Sequence, residues 1–218
     1  SELVEEVTVA TPAVDWNSSF DYDELAAASD ALFIMGYGYH WKGGDPGPIS
    51  PLYGGGIWSK YSLEWSVEDH MKWGAPADRI LLGLPLYGRS WPSTSTDVPG
   101  VATGDGEAVV YQSAVPAADS YGRHYDEHSE TPYAFPSSRE QLWYDDIESL
   151  RAKIAYAVEE EGAARRPSRR RYASHGASAT PPSSALGSSS QPSRAVPQPR
   201  SSTPTAHTRS RDGTNHAL

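Results

Sequence analysis

The chain has 218 residues, no cysteine and a net charge of −10. A disulfide framework, a thiolate nucleophile and a Cys-ligated zinc are therefore excluded. No apolar run reaches the roughly 18 residues that a membrane-spanning helix needs, so no membrane partner is expected.

The composition is uneven. All seven Trp and twelve of the thirteen Tyr precede residue 163. Residues 1–162 sum to −18 and residues 163–218 to +8. An acidic, aromatic-rich globular part is followed by a basic segment with little to bury.

The sequence opens SELVEEVTVA, without Met and without the regions of a signal peptide, directly on a strand-like run. The true beginning is expected upstream. Val7 to Ala10 reads as a strand interrupted at Pro12, followed by the polar turn Asp15-Trp16-Asn17. Glu24 to Ser29 reads as a short helical turn, and Ala31 to Met35 as a continuous apolar strand. Ser62 to Trp73 predicts a helix, with Leu63, Val67 and Met71 on one stripe and Gly74 at the C-terminal cap. Ile80 to Leu84 is the next strand, followed by PLYGRSW.

Residues 92–140 are rich in Pro, Ser, Thr and Tyr and hold strand-sized runs such as Ala108 to Tyr111. They predict a small inserted module containing β-structure rather than one more helix. Gln141 to Tyr144 returns to strand. Asp145 and Glu148 then form a capping-box pattern, and Ile147, Leu150, Ile154 and Val158 a helical stripe that Gly162 ends. Continuous apolar strands alternating with helices predict an α/β fold, a parallel sheet covered by helices.

After Gly162 the sequence is almost only Arg, Ser, Pro, Ala, Thr, Gly and His, with no apolar period. Such a segment cannot offset its ordering entropy, so residues 163–218 are expected to be disordered. The RRPSRRR run could meet a polyanion, but no aromatic platform accompanies it and no nucleic-acid partner is expected. The abrupt change of composition also fits out-of-frame translation, which the other reading frames of the coding DNA would test.

In a parallel barrel of strands and helices, chemistry sits at the C-terminal ends of the strands. Tyr37, Tyr39, His40 and Trp41 follow the second strand, Trp16 follows the first, and Tyr87, Arg89 and Trp91 follow the third. Aromatic faces and hydroxyls gathered at one rim suit a sugar. A phosphate site would place a Gly-rich turn at a helix start, and a dinucleotide site would show G-x-G-x-x-G after a strand. Neither pattern is present.

These residues match a known family. VTVATPAVDW, SDALFIMGYGYHW, GPISPLY, WSVEDHMKWGAPADRILLGLPLYGRSW and LWYDDIESLRAKIAYAVEEEG resemble, in order and spacing, the C-terminal half of a chitinase-like glycoside hydrolase of family 18. The resemblance covers residues 1–162 and none of the tail. It implies a partial (β/α)8 barrel, about the fifth to eighth strand–helix units, with a small α+β insertion. It also implies a retaining hydrolase of β-1,4-linked N-acetylglucosamine polymers whose nucleophile is the substrate's own acetamide oxygen. Tyr37 would hold the acetamide and Met35 would line the pocket floor. Tyr39 and Trp41 would contact sugar, Tyr87 and Arg89 would stand where the insertion meets the cleft, and Trp91 and Tyr144 would be further subsite residues. No cofactor is implied; the partner is chitin or its oligosaccharides, at an extracytoplasmic location.

The sequence departs from the family pattern at three points. The acid motif D-x-x-D-x-D-x-E is absent. Asp21 and Asp23 have the right gap, but Ser18 and Leu25 occupy the first and last positions. Gly38 stands where the family often has Asp, and no Trp-bearing eighth strand follows Gly162. A half barrel exposes two sheet edges, so this chain alone is expected to fold poorly and to lack hydrolase activity. Two alternatives are a sugar-binding relative without catalysis and the product of a decayed gene. His124, Glu127 and His128 spell an inverted zinc-protease pattern, but the Gly- and Pro-flanked context predicts a loop rather than the required helix, and no metal site is assigned.

Overall fold

The computed structural model describes residues 6–164. The readings of residues 1–5 and of the basic tail lie outside the described residues.

The first layer is a three-stranded parallel sheet in chain order, β1 (Thr8–Pro12), β2 (Ala31–Met35) and β3 (Ile80–Gly83). Pro12 lies opposite Met35, and Met35 opposite Gly83, so the three strands end level. Alternation along β2 sets the two faces. Leu32 and Ile34 are fully buried in a cluster with Tyr22, Ala26, Val67, Ala75 and Ile80. Each such side chain contributes about 1.5–3 kcal/mol. Phe33 and Met35 turn to the opposite face and are half-buried.

Helix α1 (Tyr22–Ala28) links β1 to β2, and α2 (Leu63–Lys72) precedes β3. The start of α2 is set by Ser62, whose hydroxyl accepts the Trp65 N–H at 3.2 Å. Its end is set by Gly74, at φ 101°, where a side chain would be strained. The expected stripe holds, with Leu63 and Val67 buried and Met71 packed against the same cluster.

A second, antiparallel sheet comprises β4 (Tyr87–Pro92), β5 (Glu107–Val110), β6 (His124–Asp126), β7 (Thr131–Ser137) and β8 (Glu140–Trp143), in the order β5-β4-β8-β7-β6. It spans 87–143, wider than the expected insertion of 92–140. Two readings are corrected. Tyr87–Pro92 is a strand of this sheet rather than the loop end of β3, and Glu140–Trp143 pairs antiparallel with β4 and β7 rather than joining the parallel sheet. The insertion also contains a helix that the residue pattern did not show, although the α+β resemblance implied one, α3 (Tyr111–Tyr121), with Pro116 inside it. Ala114 and Ala118 bury one face of α3 against Ala134, Leu142 and Tyr144.

The final helix, α4 (Ile147–Ala164), departs from expectation in its cap. Asp146, not Asp145, caps it. Its Oδ1 accepts the Glu148 and Ser149 N–H groups at 2.9 and 3.1 Å, and Ser149 Oγ accepts the Asp146 N–H at 2.9 Å. The capping box is therefore Asp146/Ser149, one residue later than read from the sequence. Of the apolar stripe, Ile147, Ile154 and Val158 are exposed and Leu150 is half-buried, while Ser149 and Lys153 are buried. Lys153 pairs with Asp145, and that pair fixes which side of α4 is buried.

Candidate functional site

At the C-terminal ends of β1 and β2 lies a cleft of about 780 Å³, within the usual range for small-molecule sites. From β1 and the loop after it come Pro12, Ala13, Val14 and Trp16. Met35, Tyr37, Tyr39 and Trp41 come from β2 and the loop after it, and Ser59 and Tyr61 come from the segment before α2.

The ALFIMGYGYHW stretch is shaped for this role. Gly36 has no room for a side chain: a Cβ there would lie 2.5 Å from Leu63 Cδ2 and 2.6 Å from the Gly83 carbonyl. The chain turns tightly just past it, with the Tyr37 N–H donating to the Met35 carbonyl at 2.7 Å. Gly38 takes φ 80° with open space around it. These two glycines let the strand end and redirect its aromatics into the cleft.

The aromatics divide by what holds them. The Tyr39 hydroxyl donates to the Ser62 carbonyl at 2.9 Å and lies 2.6 Å from Ser66 Oγ, which donates to the Ala13 carbonyl at 2.6 Å. Burial pushes the Tyr39 phenol well above its ordinary pKa, although the Ser66 bond opposes the shift. Tyr39 thus offers its ring to the cleft while its hydroxyl braces α2 against β1. Tyr37 is half-buried and meets the edge of Tyr87, ring centres 6.2 Å apart. Trp41 is 62% exposed.

His40 is structural: its Nδ1 lies 2.9 Å from the Asp45 carbonyl, its ring meets Trp58, and burial holds it more neutral than usual. Asp15 shapes the loop that carries Trp16, its two oxygens accepting the Ser19 and Phe20 N–H groups at 3.0 and 2.9 Å. Burial raises the Asp15 pKa, but its backbone bonds together outweigh burial and hold the carboxyl below its ordinary value.

Four of the expected site residues, Met35, Tyr37, Tyr39 and Trp41, line the cleft. Tyr87 stands beside it through Tyr37. Arg89 is fastened to the insertion, its Nη1 donating to the Gly106 carbonyl at 2.7 Å, while its Nε is buried without a partner. Trp91 and Tyr144 lie elsewhere. Trp91 is 0% exposed in a cluster with Ile49, Trp58 and Trp143, and Tyr144 is 1% exposed beneath α3. Burial pushes the Tyr144 phenol up to about 12. Both are fully buried core side chains, and neither lines the cleft.

Sequence reasoning missed Tyr61 and did not assign Trp16. The crowding of Trp58, Lys60, Tyr61 and Trp65 before and within a helix start was the available signal. His124 sits on β6 stacked on Tyr133, and His128 lies near the Gly54 carbonyl, so the two do not share a helix face.

The sequence model for glycosyl hydrolases family 18 matches residues 2–163, and the chain belongs to that family. Chitotriosidase-1 of Mus musculus is 29% identical over 157 residues, 64% of this chain and 33% of that protein. The cortical fragment-lytic enzyme of Bacillus subtilis (strain 168) is 26% identical over 153 residues, 67% of this chain and 32% of that enzyme. The crystal structure of an immunomodulatory active chitinase from Trichuris suis is similar with a TM-score of 0.62 at 29% identity, covering 70% of this chain and 47% of the other. A family 18 chitinase from Cycas revoluta, solved in complex with (GlcNAc)3, shares the fold with a TM-score of 0.61 at 23% identity, over 70% of this chain and 47% of that one. The chain spans about a third of the length of these curated relatives and about half that of the solved chains. The fold is a partial (β/α)8 barrel with an inserted sheet; among the described residues the barrel is not closed.

Proposed function

We infer that the cleft binds β-1,4-linked N-acetylglucosamine oligosaccharides, as part of a chitinase-type glycosidase site that works by a retaining, substrate-assisted mechanism. The observation that carries this is the convergence of Met35, Tyr37, Tyr39 and Trp41, with Trp16 and Tyr61, on one cleft at the strand ends. Aromatic rings take the apolar C–H faces of pyranoses, and the acetamide needs a hydroxyl donor beside an apolar floor. Tyr37 is that donor and Met35 that floor.

In this mechanism a general acid protonates the glycosidic oxygen as the acetamide oxygen attacks the anomeric carbon. Tyr37 orients the acetamide, which converts part of the barrier into positioning already made on binding. No D-x-x-D-x-D-x-E occurs in the 218 residues, so this chain binds and does not cleave. Polymeric substrates of this kind place its work outside the cytoplasm.

The same missing motif favours a second reading, a sugar-binding relative without catalysis. Titration calorimetry with N-acetylglucosamine oligomers, beside fluorophore release from a chitobioside, tests both. Binding without release is the expected result. Release by this chain overturns the reading that it binds without cleaving, and absence of binding overturns the site.

A further inference from the structure

We propose that Asn17 is an N-glycosylation acceptor, a site of covalent oligosaccharide attachment on the loop between β1 and α1. Asn17-Ser18-Ser19 spells N-x-S with a residue other than Pro at its centre, and Phe20 rather than Pro follows. The proposal rests on the reading that the protein works outside the cytoplasm and adds to it a modified residue.

Three letters match often by chance, so placement decides. Only two asparagines occur in the chain, and the other, Asn215, is followed by His216 and Ala217, so the pattern arises once. It falls between Pro12, the last residue of β1, and Tyr22, the first of α1, and Trp16 to Phe20 are all exposed. A glycan is bulky and hydrophilic and needs a surface position in the folded chain. An acceptor inside a helix or a sheet, or facing the core, would deny it that room. Asn17 grants it.

The local structure gives Asn17 no other task. Asparagine in a turn either takes the left-handed backbone conformation or accepts a nearby backbone N–H with its side chain. Here both tasks fall to neighbours. Ser18 takes φ 51°, and Asp15 accepts the Ser19 and Phe20 N–H groups at 3.0 and 2.9 Å. Aromatic contacts anchor the two arms of the loop: Trp16 meets Tyr61 edge to face, centres 4.7 Å apart, and Phe20 stacks 6.4 Å from buried Tyr22. The turn is built by its neighbours, and the exposed Asn17 carboxamide is not what shapes it.

The donor is an oligosaccharide joined through a pyrophosphate to a membrane lipid, and a transferase of the secretory route supplies the catalysis. The Asn17 amide nitrogen attacks C1 of the first sugar. The N–C1 bond forms as the bond from C1 to the pyrophosphate oxygen breaks, the lipid pyrophosphate leaves, and the amide proton passes to a base of the transferase. The Ser19 hydroxyl, two residues on, is the group that marks this asparagine for the enzyme.

The experiment directs the full chain into the secretory route of a eukaryotic cell and compares its electrophoretic mobility before and after enzymatic removal of N-linked glycans, with mass spectrometry of the peptide that holds Asn17. The wild type should shift on treatment, and its Asn17 should be recovered as aspartate. Asn17→Gln and Ser19→Ala should abolish the shift, and Ser19→Thr, which keeps the hydroxyl, should retain it. A secreted wild type with bare Asn17, or a shift that survives Asn17→Gln, overturns the acceptor and leaves the extracytoplasmic reading intact. Fractionation of the protein's own cells that finds it only in the cytoplasm overturns that reading, and the acceptor with it.

Discussion

The carboxylate of Asp145, just after β8, and the ammonium of Lys153, two turns into α4, form an ion pair in which neither side chain has any solvent exposure. Asp145 also accepts from Ser149 Oγ at 2.7 Å, while its second oxygen is buried without a partner. Burial pushes the Asp145 carboxyl up and the Lys153 ammonium down, and their mutual attraction opposes both shifts. Removing one partner leaves the other stranded, a loss of about 3–5 kcal/mol. Lys153→Met should therefore lower the unfolding free energy by that amount in a denaturant titration. Asp145→Leu combined with Lys153→Met should recover most of it. If Lys153→Met costs nothing, the pair does not anchor α4.

Gly36→Ala tests the close approach of β2 to β3 and α2. The added methyl would meet Leu63 Cδ2 and the Gly83 carbonyl at contact distances that real side chains do not adopt. Overpacking of this kind costs about 1–3 kcal/mol. Because Tyr37 follows directly, oligosaccharide affinity should fall together with the denaturation midpoint. Gly38→Ala has space for its methyl but strains a φ of 80°, and its cost should be about 1 kcal/mol.

Stability should fall as the pH drops below about 6.5, and His70 is one cause. Its Nδ1 lies 2.7 Å from the Ser66 carbonyl and its Nε2 3.0 Å from Thr11 Oγ1, with the ring stacked 3.9 Å from Tyr22. The network is satisfied by the neutral ring, with Nδ1–H donating and Nε2 accepting. Burial lowers the His70 pKa, outweighing the Ser66 bond and the charges of Asp69 and Asp15. Unfolded His70 takes up a proton near pH 6.5 and folded His70 resists it, so stability is full above that pH and declines toward the lower folded value. His70→Gln should flatten the slope of melting temperature against pH between 7 and 5. An unchanged slope would place the titration elsewhere, His40 being the next buried candidate.

Trp41→Ala should raise the dissociation constant for N-acetylglucosamine oligomers about tenfold, close to 1.4 kcal/mol. Trp41 is largely exposed, so the unfolding free energy should change by less than about 0.5 kcal/mol. Trp91→Ala should do the reverse, with a cost of about 3–5 kcal/mol in stability from a fully buried ring. An affinity change without a stability change at Trp91 would restore it to the site.

The parallel strands and α2 were legible because each carries an unambiguous local signal: continuous apolar runs in β2 and β3, a Ser62 cap and a terminal Gly74 for α2. Helix α3 was not, because Pro116 and two serines mask a face whose buried residues are only alanines. The stripe of Ile147, Leu150, Ile154 and Val158 was legible as a period, but three of its four residues are exposed. An ion pair on the opposite side of α4 decides its rotation, and no apolar period records that. In the site, Met35, Tyr37, Tyr39 and Trp41 were legible because strand ends are where such a fold places its chemistry. Trp91 looked the same in sequence, but it lies in a strand that belongs to the second sheet and points into that sheet's core.

Ser66 takes part in both halves of this molecule. Its hydroxyl joins the Tyr39 ring of the cleft to the Ala13 carbonyl, and its own carbonyl receives the His70 ring of the core. Exchange of Ser66 for a larger or apolar residue would therefore loosen the ligand wall and the hydrophobic centre in one event. Selection for tighter binding and selection for thermal endurance cannot act separately at this position, so variation here is constrained twice over.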